Sequence, residues 1–197
     1  MADAIEAFLA GTEATGWRRA PLPADASARR YERLHGPDGR TAILMDSRAE
    51  PASLAPFLHI ARHLRAGATP ADAYARLCAE APAQLLQLNV PAKEAEQFER
   101  ILSGRLPEVH LNAIGSSGYV MHTLEAALWC LLRYGSYAET VLAAVNLGED
   151  TDTTGAVTGG LAGLYYGEAA IPPEWLQVLA RRADIEDLAV RMAAAAE

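Results

Sequence analysis

The hydrophobic and polar positions along the 197-residue chain change their spacing near residue 66. Before it, Asp3 to Ala14 has the pattern of a short amphipathic helix. Two short runs then follow, Tyr31-Glu32-Arg33-Leu34 and Thr41-Ala42-Ile43-Leu44-Met45, on either side of His35-Gly36-Pro37-Asp38-Gly39-Arg40. Strand-like runs around a Gly-Pro-Asp-Gly turn predict a β-hairpin. Leu54 to Arg65 reads as a helix ended by Gly67. Beyond it the spacing is helical almost throughout: Pro70 to Glu80, Ala92 to Leu102, Val120 to Tyr134, Tyr137 to Leu147, Thr154 to Tyr166, Pro173 to Arg182 and Ile185 to Ala195. Leu124, Ala127, Leu128, Leu131 and Leu132 form an amphipathic stripe. Val141 to Val145 is apolar all round, which predicts a helix near the centre of a bundle. The expected fold is mainly α: a helical bundle over residues 67–197, preceded by a small α+β segment with a β-hairpin over 1–66. No tandem repeat of fixed period is visible.

One predicted helix carries an unusual ridge. Gly155, Gly159, Gly163 and Gly167 recur every fourth residue, so on a helix they line up as a stripe without side chains. Each glycine inside a helix costs about 1 kcal/mol against alanine, and close approach of a neighbouring helix or of the preceding loop has to offset that loss. The apolar stretch from Ala156 to Tyr166 falls far short of the ~20 residues of a membrane span, and no other segment reaches that length.

The loop before this helix, Gly148-Glu149-Asp150-Thr151-Asp152-Thr153-Thr154-Gly155, sets two carboxylates and a hydroxyl close together. A hard divalent cation such as magnesium takes one or two carboxylates and several waters, which this loop can offer. Asp150, Asp152, Thr154 and Gly155 also fit the first, third, fifth and sixth positions of a calcium EF-hand loop. The twelfth position, which must supply a bidentate Glu, is Leu161, so that reading is rejected. The simpler alternative is that Asp152 or Thr153 caps the helix that follows. Asp150 and Asp152 repel one another unless a cation or proton lies between them, so capping and metal ligation are compatible.

Composition adds boundaries. Half of the chain is hydrophobic (51%), enough for a real core, and the formal charge of −8 with scattered basic residues argues against a nucleic-acid surface. Cys78 and Cys130 lie in apolar helical contexts without CxxC or ligand spacing and are expected to be reduced core residues. The N-terminus shows no secretory pattern, and the expected location is cytoplasmic. His59 and His63 are one helical turn apart, a spacing that suits a metal pair, but no Glu follows His59 as in the zincin motif, and they read as ordinary residues on a helix flank.

Three stretches together resemble the ADP-ribosylglycohydrolase family, which includes the dinitrogenase reductase-activating glycohydrolases. They are Ser116-Ser117-Gly118-Tyr119-Val120-Met121-His122-Thr123-Leu124-Glu125-Ala126-Ala127-Leu128-Trp129, Val145-Asn146-Leu147-Gly148-Glu149-Asp150-Thr151-Asp152-Thr153, and Gly159 to Gly167. The resemblance runs from about Gly67 to the C-terminus. It implies a helical bundle of that family's type and hydrolysis of the bond between ADP-ribose and an acceptor, on a small molecule or a protein, with two magnesium or manganese ions. Carried over, Asp150, Asp152 and Thr153 become metal ligands, and Ser117, Gly118 and Tyr119 lie near bound ADP-ribose. Tyr119 is then a stacking or hydrogen-bonding group, against the alternative of a buried aromatic at a helix start. Glu125 reads as a polar residue favoured by the helix dipole rather than as a catalytic group.

The family's N-terminal Gly-Asp-Ala-Leu-Gly and Thr-Asp-Asp-Thr type segments, which bring the remaining metal ligands, have no counterpart in this sequence. Asp25 and Asp46 are the N-terminal aspartates to examine in their stead. Leu22-Pro23-Ala24-Asp25-Ala26-Ser27-Ala28-Arg29-Arg30-Tyr31 and Ala42-Ile43-Leu44-Met45-Asp46 resemble the start of an aminoglycoside-phosphotransferase-like sugar kinase instead. That resemblance implies a phosphate turn at Asp25 to Arg30, with Arg29 and Arg30 either on phosphate or simply solvated. No kinase catalytic segment follows it. Three functions are therefore expected, in order: a metal-dependent ADP-ribosylglycohydrolase, a non-catalytic cation- or ADP-ribose-binding module, and a nucleotide-binding kinase fragment.

Overall fold

A computed structural model describes residues 4–23, 30–46 and 51–194. Contacts divide the chain into two compact units, 1–55 and 56–197. The division falls inside a helix, about ten residues before the change of spacing at residue 66.

The N-terminal unit contains helix α1 (Ala4–Leu9) and strands β1 (Arg18–Pro21), β2 (Arg30–His35) and β3 (Thr41–Asp46). The strands form an antiparallel sheet in the order β1-β2-β3, with Arg19 opposite Leu34 and Leu34 opposite Ala42. The hairpin between β2 and β3 is the predicted one. Its turn closes through the Gly36 N–H on the Arg40 carbonyl at 2.8 Å, and Gly39 takes φ +81°, open to glycine without strain. Strand β1 is an addition, since Arg18-Arg19-Ala20-Pro21 shows no apolar alternation. A bidentate pair from Arg19 to Glu32 on β2, at 2.6 and 2.8 Å, supports it, with a third contact from Arg19 to Glu6. Leu9, Ala14, Leu34 and Leu44 make this unit's core, with Ile5 and Trp17 against them.

Helix α2 (Pro51–Arg65) leads into the second unit, which continues through α3 (Pro70–Gln87), α4 (Ala92–Ala95), α5 (Glu99–Leu102), α6 (Val120–Arg133), α7 (Tyr137–Val145), α8 (Thr151–Tyr166), α9 (Pro173–Val178) and α10 (Arg182–Ala194). Thr69 caps α3 by accepting from the Asp72 N–H, and Pro70 sits at the first helical position. Ala73, Leu77, Ala81 and Leu85 then bury one stripe two turns beyond the predicted end at Glu80, because Pro82 is absorbed without ending the helix. The predicted helix from Ala92 to Leu102 is interrupted by a 3₁₀ turn at Glu96–Phe98. Among the described residues, no helix is long and apolar enough to cross a membrane.

The centre of this unit is α6, not α7 as the all-apolar run at 141–145 suggested. Met121 and every residue from Thr123 to Leu131 are buried, whereas Leu142 on α7 is 47% exposed. Trp129 is anchored at its polar edge by its Nε1–H, which donates to the Val109 carbonyl at 2.9 Å. The thiol of Cys130 is pushed up to about 12 by burial, while Cys78 is half-buried. Helix α7 packs on the glycine ridge of α8. An added Cβ would lie 3.0 Å from Val145 at Gly155 and 3.3 Å from the Tyr137 hydroxyl at Gly159. The approach of a neighbouring helix that the ridge required therefore comes from α7.

Two polar features of this core bear on stability in opposite directions. Glu125, read from the sequence as a polar residue favoured by the helix dipole, is only 5% exposed and pairs with Arg100 at 2.7 Å, so it is a buried ion-pair partner. Burial raises its carboxyl above the ordinary 4.5, against the lowering influence of Arg100, the Gly115 N–H and His122. An acid whose folded-state pKa is raised loses stability as pH climbs from the unfolded value through the folded one. Removing Arg100 raises the folded pKa further. Arg100→Ala is therefore expected to cost about 1–2 kcal/mol near pH 7.5, a figure reduced for the half-exposed guanidinium, and less near pH 4.5; urea unfolding at the two pH values checks this. In addition, the Thr158 hydroxyl on α8 is buried without a hydrogen-bond partner. The isosteric Thr158→Val is expected to stabilise the chain by about 1 kcal/mol in the same assay.

Candidate functional site

Two loops that are about thirty residues apart in sequence meet at the N-terminal ends of α6 and α8. After α7 the chain turns back through Gly148 at φ +87° and Glu149 at φ +53°, and then enters α8 at Asp150. The Asp150 N–H donates to the Ser116 carbonyl at 3.0 Å, and the buried Ser116 hydroxyl donates to the Leu147 carbonyl at 3.4 Å. These two bonds zip the loops together. The Asp150 carboxylate then lies directly over Gly118, where an added Cβ would come within 2.7 Å of its Oδ2. Only a residue without a side chain leaves the carboxylate there.

Asp150 is the cap of α8, a role expected of Asp152 or Thr153. Its carboxylate accepts from the Thr153 N–H at 3.4 Å, and Asp152 accepts from the same N–H at 2.8 Å. The helix therefore starts at Thr151, three residues before the predicted position, and Asp152 and Thr153 stand exposed on its first turn. Contact with the Asp150 carboxyl, followed by the Thr153 N–H, holds Asp152 below the usual carboxylate range. Two carboxyl groups in such contact need a shared proton or a cation between them.

The donors here are all hard oxygens, two carboxylates and the Thr153 hydroxyl, and they are at the half-buried and exposed end of a helix where retained waters have access. That set fits magnesium or manganese. Among the described residues, no third His, Cys, Asp or Glu joins Asp150 and Asp152 in a ligand cluster. Of the N-terminal aspartates, Asp25 lies outside the described residues, as do Ser27 and Arg29, and Asp46 ends β3 in the other unit.

Ser117, Gly118 and Tyr119 form the other side. Tyr119 is not buried: it sits before the first turn of α6, 47% exposed, and its hydroxyl donates to Gln97 Oε1. His122, part of the quoted motif but given no role in the sequence reading, organises this loop. Its Nδ1 is 2.7 Å from Ser117 Oγ, and its ring meets the Tyr119 ring edge-on at 5.4 Å. It also lies against Gly115, where an added Cβ would come within 2.8 Å of the imidazole. Ser117 Oγ in addition accepts from the Tyr119 N–H at 3.3 Å. The signal for His122 is the turn geometry: a helix that begins at Val120 returns its first-turn side chain over the residues just before the cap.

A separate apolar groove of about 420 Å³ lies along the end of α3, lined by Pro82, Leu85, Leu86, Val90, Ala95, Glu99 and Leu102. None of these belongs to either loop.

Residues 20–197 match the family model described as ADP-ribosylglycohydrolase. The match begins well before Gly67 and takes in the stretch from Leu22 to Asp46, where a likeness to a sugar kinase was expected. The chain is 40% identical over 92 residues to the ADP-ribosylarginine hydrolase Tri1 of Serratia proteamaculans (strain 568), covering 47% of this chain and 25% of that protein. It is 38% identical over 130 residues to the protein of the same name in Pseudomonas putida (strain GB-1), covering 60% of this chain and 35% of that one. Against the ADP-ribosyl-[dinitrogen reductase] glycohydrolase of Rhodospirillum rubrum it is 37% identical over 71 residues, covering 36% and 24%. The chain thus spans about a quarter to a third of the curated relatives it matches. With nine-tenths of its length inside the family match and the two loops of the site joined as described, the chain belongs to the ADP-ribosylglycohydrolase family.

Proposed function

We propose that this chain takes part in metal-dependent hydrolysis of the glycosidic bond between ADP-ribose and an acceptor, with a guanidinium acceptor favoured. In this reading Asp150, Asp152 and Thr153 hold magnesium or manganese, and Ser117, Gly118 and Tyr119 face the ADP-ribosyl group. The observation that carries it is the convergence of the two loops, with the Asp150 carboxylate seated on Gly118. The two relatives named ADP-ribosylarginine hydrolase support the choice of acceptor.

As the bond to the acceptor nitrogen breaks, positive charge develops at the anomeric carbon, and water supplies the oxygen while the leaving nitrogen takes a proton. A bound divalent cation supplies charge that orients ribose hydroxyls and polarises water. The contribution of the chain itself is positional. The Ser116–Asp150 backbone bond fixes the distance between the two loops, and the bare Cα of Gly118 leaves room for the Asp150 carboxylate. Exposed Tyr119, tethered through Gln97 and His122, offers an aromatic face beside them.

A second reading, binding without turnover, rests on the ligand count: two carboxylates among the described residues, where a complete two-metal site needs more. Its mark is heat of ADP-ribose or cation binding by calorimetry with no product formed.

Two substitutions test the proposal on ADP-ribosyl-arginine with magnesium or manganese. Asp152→Ala is expected to lower turnover by about 100-fold or more, and full activity in this variant sinks the metal assignment. Gly118→Ala pushes its new Cβ against the Asp150 carboxylate. It is expected to lose about 10–100-fold in turnover or cation affinity while its unfolding free energy stays within about 0.5 kcal/mol of the parent.

A further inference from the structure

A second constellation stands apart from the oxygen-rich loop. His59 and His63 lie one turn apart on α2, and Glu80 on α3 lies beside them. The two Nε2 atoms are 3.1 Å apart, and Glu80 Oε2 is 3.6 Å from His59 Nε2. One ligand atom from each of the three residues falls within 4.8 Å of the others. His59 is 6% exposed and its remaining nitrogen, Nδ1, is 3.2 Å from the Gln84 side-chain amide.

A hydrogen bond between two imidazoles accounts for one proton, yet here a third possible ligand atom, from Glu80, lies within 4.8 Å of both. Four ligands around zinc, with Zn–N near 2.0–2.1 Å, are separated from one another by roughly 3.3 Å, and the observed 3.1 and 3.6 Å lie on either side of that value. Gln84 is placed as the outer partner that metal-binding imidazoles usually have. The structure sets the Gln84 amide nitrogen against Nδ1; turned over, so that its amide oxygen faces Nδ1, it accepts the Nδ1–H of His59 and leaves Nε2 free to ligate.

We infer that His59, His63 and Glu80 form a site for a borderline divalent transition-metal ion, zinc in the first instance, that staples α2 to α3 and leaves a fourth position to water. Two imidazoles and one carboxylate favour such an ion over magnesium or calcium. The half-buried His63 and the half-exposed Glu80 leave a path from solvent. The site is distinct in donor chemistry and in sequence from Asp150 and Asp152.

The test is a titration of the full 197-residue chain, free of any histidine tag, with zinc alone and with magnesium alone, read by calorimetry and thermal unfolding. One zinc per chain is expected, with a raised unfolding midpoint that magnesium does not reproduce, and cobalt in its place is expected to give the visible absorption of a four-coordinate ion. His63→Ala and Glu80→Ala, at positions where truncation is tolerated, are expected to weaken zinc binding by about tenfold or more. Buried His59 is left intact, so that loss of fold is not mistaken for loss of metal. Asp152→Ala is expected to bind zinc as the parent does. Zinc binding no tighter in the parent than in His63→Ala overturns the site, and so does zinc binding that is lost in Asp152→Ala but kept in His63→Ala.

Discussion

The contact between Asp150 and the Ser116–Gly118 segment governs the rest of the proposed site. A backbone hydrogen bond fixes the spacing, and a carboxylate resting on a glycine Cα fixes the orientation. Each of these would be weak in isolation, since a single backbone bond adds about 1 kcal/mol net. They are effective because both loops spring from rigid neighbours. Ser116 to Tyr119 lead directly into α6, the most completely buried helix of the unit, and Asp150 caps α8, which packs against α6 and α7. A displacement of either helix would separate the carboxylate from its glycine seat, so the core packing is a condition for the site and not only for the fold.

Helix α8 shows how that condition is met. Its glycines weaken it as an isolated helix, by about 1 kcal/mol each, but they let α7 come so near that an added Cβ at Gly155 or Gly159 would be crowded, at 3.0 and 3.3 Å. The short loop Asn146–Glu149 then has little freedom, and its two left-handed residues return the chain straight onto Ser116. The ridge and the acidic loop, which look like separate features of the sequence, are successive parts of one device: the ridge sets how near α7 comes, and α7 sets where Asp150 begins the next helix.

Much of this was legible in residue spacing. The β2–β3 hairpin followed from its turn residues, α6 from its stripe, and the need for a close neighbour from the glycine period. What escaped has physical causes. Strand β1 is polar in sequence because its support is the Arg19–Glu32 pair, a contact across strands that no local pattern reveals. The run at 141–145 is apolar all round, yet α7 is not central, because part of its surface lies on a glycine ridge and Leu142 remains exposed; hydrophobicity gave the composition of the face and not its depth. His122 escaped periodicity as a site residue because its partner Ser117 lies outside the helix, and only the turn geometry at the helix start signals it. The cap was assigned two or three residues late, since Asp150, Asp152 and Thr153 are all good capping residues and only the backbone bond to Ser116 selects the first.

The two proposed ion sites also answer different questions about one chain. Asp150, Asp152 and Thr153 offer hard oxygens at an exposed helix start, where an ion can keep most of its water and exchange it for ribose hydroxyls. His59, His63 and Glu80 offer two nitrogens and one oxygen, with one imidazole buried and held from behind by Gln84. The first arrangement suits an ion that must share its coordination with a substrate. The second suits an ion whose role is to hold two helices at a fixed separation. The imidazoles favour zinc over magnesium at the second site, whereas the carboxylate set is filled by magnesium or manganese where these are the more available ions.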